Sequence, residues 1–235
     1  MKNFFDENNI RAFVFDMDGV LIDSESVYEK AWQEIAGQMG FKDIDSVHKK
    51  CLGCSKNDVF EILKKSYGEN IDAAMFWKKT SDWSVDFMNR NGLIEKDGAK
   101  EILTFLKSEN ILLALATSSE KSFAENLLKK ANLLDFFDAV VFGDEVKNAK
   151  PNPDIYLLSC AKLNLAPKNC AAVEDSPNGI ISAKNAGLKA IMVPDRILPD
   201  NDMKKNAWKI FDSLLSLRKT LINSKAEQPV AISGF

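Results

Sequence analysis

The chain has 235 residues, 31 of them Lys or Arg and 34 Asp or Glu, for a formal net charge of −3. Its 46% of hydrophobic residues suffices for a packed core and excludes a disordered chain. The weak acidity argues against a nucleic-acid partner, which would call for a basic excess, and no run of about 18 apolar residues offers a membrane span.

The opening M-K-N-F-F-D-E-N-N-I is polar and acidic after Lys2 and lacks the apolar stretch of a secretory signal. Four cysteines, at 51, 54, 160 and 170, are too sparse for a disulfide scaffold, so a cytoplasmic protein is expected, with a monomer as the default state. Ala12–Phe15, A-F-V-F, is a short continuous apolar run of the kind found in a strand buried on both faces.

From about Ser24 to Arg90 the pattern is helical. Val27, Ala31, Ile35 and Met39 recur every four residues, Val59, Ile62 and Leu63 follow Asn57-Asp58, and Ile71 to Met88 carries Met75, Phe76, Trp83 and Phe87. Trp77 and Trp83 are expected to pack inside this block rather than line a pocket. Cys51 and Cys54 form C-L-G-C three residues after His48. A zinc site would need a fourth ligand, and no second Cys or His pair supplies it. A redox C-x-x-C would follow a buried strand at a helix start, whereas charged and polar residues precede this one; small structural thiols are the plainer reading.

After Asn91-Gly92 strands and helices alternate. Ile102 to Leu106 reads as helix, Ile111–Ala116 as strand, Phe123 to Leu128 as helix and Ala139–Phe142 as strand. Ile155 to Leu163 is helical, Cys170–Val173 a strand, Ile180 to Ala186 helical and Ala190–Val193 the last strand. Trp208, Phe211, Leu214 and Leu215 predict a closing helix, and about Ala226 to Phe235 predicts a loose tail. This alternation predicts an α/β fold with a Rossmann-like parallel sheet covered on both faces. The all-helical stretch interrupts it after the first strand, so residues 1–23 and 92–235 form the expected core and 24–91 an inserted helical cap domain.

Open parallel sheets collect their chemistry beyond the carboxyl ends of the strands. Here those ends read Asp16-Met17-Asp18-Gly19, Thr117-Ser118-Ser119, Gly143-Asp144 leading to Lys150-Pro151, and Glu174-Asp175-Ser176. Each has a plain structural alternative: a turn pivoting on Gly19, a helix cap at Thr117, a solvated Lys150. Four such ends together point to one site.

The stretches F-D-M-D-G-V-L-I-D-S at 15–24, L-A-T-S-S at 115–119, K-P-N-P-D at 150–154 and V-E-D-S-P-N-G at 173–179 resemble the haloacid dehalogenase-like hydrolase superfamily. In order and spacing they are similar to its helical-cap branch of phosphatases and phosphomutases, from about Arg11 to Asp195. The resemblance implies Asp16 as nucleophile, giving an aspartyl-phosphate, and Asp18 as general acid and then base. It implies Mg²⁺ held by Asp16, Asp175 and the Asp18 carbonyl, with Glu174 as a further or supporting ligand. Thr117 and the Ser118 N–H would hold the phosphoryl group, Lys150 would bridge it to the nucleophile, and Gly19 would let the backbone approach. Lys56, in the cap loop from Gly53, is the candidate contact to the rest of a small phosphorylated metabolite.

Two departures bear on the reaction. Hexose phosphomutases of this branch use a cap-hinge histidine where this chain has Tyr28, and a cap-loop arginine where it has Lys56. The expected activity is therefore phosphomonoester hydrolysis. A mutase of β-phosphoglucomutase type is the alternative, and a catalytically silent binding protein on the same fold a third.

Overall fold

The structure, a computed structural model, describes residues 4–226 apart from 53, 55 and 93. The tail expected past Ala226 and the loop position Gly53 lie outside the described residues.

A six-stranded sheet organises the chain. It comprises β1 (Ala12–Phe15), β2 (Leu112–Ala116), β3 (Ala139–Val141), β4 (Cys170–Glu174), β5 (Lys189–Met192) and β6 (Lys209–Ile210), in the spatial order β3-β2-β1-β4-β5-β6 with every pair parallel. Strand order reverses between β1 and β4, the switch point where doubly wound sheets open a crevice. Ala12 pairs with Cys170 and Phe15 with Val173, and the same β1 residues pair with Leu112 to Leu115 on the other side.

Alternation across the pleat divides the core. Phe13, Phe15, Leu113, Leu115, Ala171 and Val173 enter the layer on one face; Ala12, Val14, Ala114, Ala116, Cys170 and Ala172 enter the layer on the other. Phe13 and Phe15 have no exposed surface, and burying each side chain stabilises the fold by roughly 1.5–3 kcal/mol.

The helices are α1 (Phe4–Glu7), α2 (Glu25–Met39), α3 (Ile44–Cys51), α4 (Lys56–Tyr67), α5 (Ala73–Asn91), α6 (Ala99–Ser108), α7 (Lys121–Lys130), α8 (Asp154–Lys162), α9 (Pro177–Asn185), α10 (Asn201–Asn206) and α11 (Leu214–Ala226). Between β1 and α6 only helices occur as regular elements among the described residues. They share an apolar cluster of their own, built around Trp32, Ile35, Val47, Val59, Leu63 and Phe76. A smaller cluster of Val27, Met88 and Leu127 joins α2 and α5 to α7 beside the sheet.

The chain's end departs from expectation. Trp208 and Phe211 flank the edge strand β6, and the closing helix starts only at Leu214. Both aromatic residues pack on the core as strand-flanking residues, and apolar spacing alone does not separate that from one helical turn.

Candidate active site

Register builds the acid cluster. Phe15 and Val173 are the last paired residues of β1 and β4 with each other, so the next residues, Asp16 and Glu174, emerge side by side on the face of the sheet that carries Ala12, Val14 and Ala172. The Asp16 N–H donates to the Val173 carbonyl at 3.0 Å, extending the ladder by one residue to Asp16. One carboxylate oxygen from each of Asp16, Glu174 and Asp175 lies within 4.8 Å of the others.

Lys150 arrives from the segment after β3, through a cis Lys150–Pro151 peptide bond. Its Nζ donates to Asp16 Oδ1 at 2.5 Å, to Glu174 Oε1 at 2.7 Å and to the Ala116 carbonyl at 3.2 Å. It also lies 5.3 Å from the centre of the Tyr156 ring. Tyr156, on α8, is wholly buried and donates its hydroxyl to Glu174 Oε1 at 2.7 Å. The Ser176 hydroxyl donates to Glu174 Oε2 at 3.1 Å and in turn accepts the Gly179 N–H, capping α9. A Cβ at position 179 would collide with the Glu174 carboxyl, so only glycine lets α9 start here.

Four carboxylates in one buried place oppose each other's ionisation. Burial pushes Asp16 up to about 8, with Glu174 and Asp18 adding to the rise and Lys150 opposing it. Burial also holds Asp175 well above the carboxylate range, reinforced by Glu174 and Asp16. Burial alone would push the Lys150 ammonium down, but Asp16 and Glu174 more than reverse that and keep it charged.

Asp18 follows two residues after Asp16, and burial raises it too, against hydrogen bonding from neighbouring hydroxyls. Ser119 Oγ donates to Asp18 Oδ2 at 3.2 Å. Gly19, at φ 75°, makes the turn, and a Cβ there would run into the Asp175 carboxylate. Thr117 is wholly buried at the end of β2, where its hydroxyl accepts the Ser119 N–H at 3.0 Å. The cap of α7 is Glu120, so Thr117 does not serve as that helix's N-cap.

Two adjoining cavities open onto this group. One of about 180 Å³ is lined by Asp16, Asp18, Ser118, Lys150 and Asp175, with Arg196 and Leu52 at its edge. The other, about 440 Å³, shares Glu25, Leu52, Ser118 and Lys150 with it and reaches into the helical block past Tyr28, Trp32, His48 and Trp77. Trp77 packs against the apolar cluster of the helical block, as expected, and also lines this cavity, while Trp83 stacks on Phe87 at 5.0 Å. The Tyr28 phenol is held above its usual range by burial, then by Asp18 and Glu25.

Asp16, Asp18, Gly19, Thr117, Ser118, Lys150, Glu174 and Asp175 are therefore brought together. Lys56 stands apart: its Nζ lies over the rings of Phe60 and Trp77, 5.7 and 5.9 Å from their centres, and it lines neither cavity. Ser119, Tyr156 and Arg196 belong to the site without having been singled out. Ser119 carried a signal, as the last residue of T-S-S. Tyr156 carried none, because a tyrosine inside a helical apolar pattern reads as core.

The oxygen-rich group fits a hard divalent cation. Asp16, Glu174 and Asp175 offer converging oxygens, and the raised carboxyls mark negative charge that Lys150 alone does not balance.

The sequence profile of the haloacid dehalogenase-like hydrolase family matches residues 13–193. The chain is 37% identical over 182 residues to a phosphorylated carbohydrates phosphatase of Thermotoga maritima, covering 77% of this chain and 84% of that protein. It is 30% identical over 190 residues to a β-phosphoglucomutase of Bacillus subtilis, covering 78% and 83%. Among solved structures it resembles CbbY from Rhodobacter sphaeroides in complex with phosphate, with a TM-score of 0.72, 27% identity and coverage of 88% and 96%. Sheet order, strand-end residues and these likenesses agree: the chain belongs to the haloacid dehalogenase-like hydrolase family.

Proposed function

We propose that the protein is a Mg²⁺-dependent phosphatase of a small phosphorylated metabolite, of the carbohydrate-phosphate class named for its Thermotoga relative. The observation that carries this reading is the Asp16–Lys150–Glu174 contact set beside Asp175 and Asp18, at the mouth of a cavity. The residues before 24 and after 91 act as the catalytic core, and 24–91 act as a cap that supplies the leaving-group pocket and excludes water. Four free cysteines, three of them buried, fit a reducing cytoplasm.

Asp16 attacks phosphorus with a carboxylate oxygen while Asp18 gives its proton to the departing oxygen. Lys150 holds Asp16 and meets the phosphoryl charge, with the Thr117 hydroxyl and Ser118 N–H on the remaining oxygens. Asp18, now ionised, takes a proton from the water that attacks the aspartyl-phosphate, which restores Asp16 and frees phosphate. Asp16, Asp175 and the Asp18 carbonyl would hold Mg²⁺, with Glu174 anchoring Lys150 behind them. The cation, when bound, screens the phosphoryl charge from the attacking carboxylate.

Purified protein should release phosphate from p-nitrophenyl phosphate and from phosphorylated sugars with Mg²⁺ and not with EDTA. Asp16→Asn should abolish release, and unimpaired turnover by that variant would refute the assignment of the nucleophile. The likeness to a β-phosphoglucomutase favours a second reading, transfer of the phosphoryl group back to a sugar. Conversion of hexose 1-phosphate to 6-phosphate faster than phosphate release would establish it, although Tyr28 replaces the histidine such mutases use.

A further inference from the structure

We infer that the outer cavity receives an uncharged, hydroxyl-bearing leaving group, and that Glu25 is the residue that turns away substrates carrying a second anionic group. The inference deepens the phosphatase reading above and rests on it.

At neutral pH the charged side chains lining the 440 Å³ cavity, among the described residues, are Glu25 and Lys150. Lys150 is already paired with Asp16 and Glu174. His48, also in the wall, is held below the usual histidine range by burial, against Glu29 and Asp45, and is neutral at pH 7. Gly53 and Ser55, outside the described residues, carry no charge. Two further cations stand nearby without entering. Arg196 lines only the catalytic cavity, where it faces Asp23 at 3.7 Å and Asp195 at 4.0 Å, and Lys56 lines neither. A second phosphate or a carboxylate on the leaving group would therefore lose its water without gaining a counter-charge.

Glu25 adds repulsion to that lack. It is the first residue of α2 and lines both cavities, so it stands where the leaving group joins the phosphoryl group. Burial, then Asp18, Asp195 and Asp23, push its carboxyl up to about 7 against Arg196, and the same negative field opposes a second anion. A hydroxyl is met by either form of Glu25: the carboxylate accepts from it, and the acid donates as well. An anion is met only by the acid and is repelled by the carboxylate.

The other polar groups of the wall suit hydroxyls. Among the described residues, the side chains of Glu25, Tyr28 and His48 make no hydrogen bond, although all three line the cavity. Trp32 and Trp77 add indole surface on which the C–H side of a sugar or polyol packs.

Sorbitol 6-phosphate and 6-phosphogluconate differ at one end only, a hydroxymethyl group against a carboxylate. Steady-state kcat/KM for each is measured with Mg²⁺ on wild type, Glu25→Gln and Ser81→Lys, with thermal melts to check folding. Ser81 is exposed and lines the outer cavity, so the lysine adds a cation there. Wild type should favour sorbitol 6-phosphate by about a hundredfold. That preference should shrink by about tenfold in each variant. Fluorescence titration of Asp16→Asn protein, whose Trp32 and Trp77 border the pocket, reads the same preference as a ratio of Kd values. Equal kcat/KM or Kd for the two esters, binding of neither, or a preference unchanged in Glu25→Gln would overturn the inference. If Glu25→Gln does not fold, an unchanged preference in Ser81→Lys does so instead. If no ester is hydrolysed, the phosphatase reading fails by itself, and the Kd ratio still decides the pocket.

Discussion

Tyr156 and Lys150 donate to the same atom, Glu174 Oε1, each at 2.7 Å. Tyr156 comes from inside the core and Lys150 from the cavity, so the tyrosine fixes the carboxylate that fixes the lysine. Tyr156→Phe leaves that oxygen with one donor in a site without water access from the tyrosine side. A loss of about 1.5–3 kcal/mol in stability is expected, since the bond is to a charged group. A fall in kcat of about tenfold is expected with it, through the displaced ammonium. Thermal melts and steady-state kinetics check both; a lower melting point with wild-type kcat would reduce Tyr156 to packing.

Gly19→Ala tests the closeness of the first turn to Asp175. The new Cβ meets the Asp175 carboxylate at a backbone φ of 75°, where a side chain is already strained. Backbone strain of about 1–3 kcal/mol is expected, together with weaker Mg²⁺ affinity because Asp175 must move. Calorimetric titration with Mg²⁺ reads the affinity directly, and an unaltered value would separate Gly19 from the cation.

Stability of metal-free protein should fall as pH rises from 6 to 8. Asp16 is raised to about 8 and Glu25 to about 7, so the folded state binds protons that the unfolded chain, with ordinary carboxyls, has released. That contribution is whole below the unfolded carboxyl range and lost as pH climbs through 7 and 8. Each group adds a slope of up to about 1.4 kcal/mol per pH unit, equivalent to a melting-point change of about 2–4 °C for each kcal/mol. Saturating Mg²⁺ should flatten the dependence, because a bound cation favours the ionised carboxylates. Scanning fluorimetry across this range, with EDTA or Mg²⁺, measures it; a rise in stability with pH would contradict the crowding of the acids.

Trp77→Ala enlarges the outer cavity without touching the catalytic one. KM should rise by about tenfold for a substrate whose leaving group fills that space, a loss of about 1.4 kcal/mol, while kcat changes little. Acetyl phosphate, whose leaving group is small, should show no such rise. Equal effects on both substrates would assign Trp77 to the helical cluster instead.

Most of the residues that the fold brings together at the candidate site were legible because strand ends announce themselves. A-F-V-F before D-M-D-G, and C-A-A-V before E-D-S, mark where apolar pairing stops and exposed chemistry begins, and topology brings those points together. The sheet was legible for the same reason, except at β6, where two residues between Trp208 and Phe211 are too short to carry a period. Tyr156 and Arg196 were hidden for different causes. A buried tyrosine looks like core until its hydroxyl partner is known, and Arg196 joins the cavity only through the path of the loop after β5. Lys56 was placed by loop position alone; its ammonium lies over the rings of Phe60 and Trp77, outside both cavities.

The parallel pairing of β1 with β4 has a consequence for how the site can vary. Neighbouring residues of a strand point to opposite faces, so the spacing between Asp16 and Glu174 is set in whole steps of the pleat and allows no gradual adjustment. Deleting or inserting a single residue within 12–15 would turn Asp16 away from Lys150 altogether, whereas the helical stretch between β1 and α6 can lengthen or shorten without disturbing that spacing. The chemistry is digital in the sheet, and only the fit to the leaving group is left free to drift.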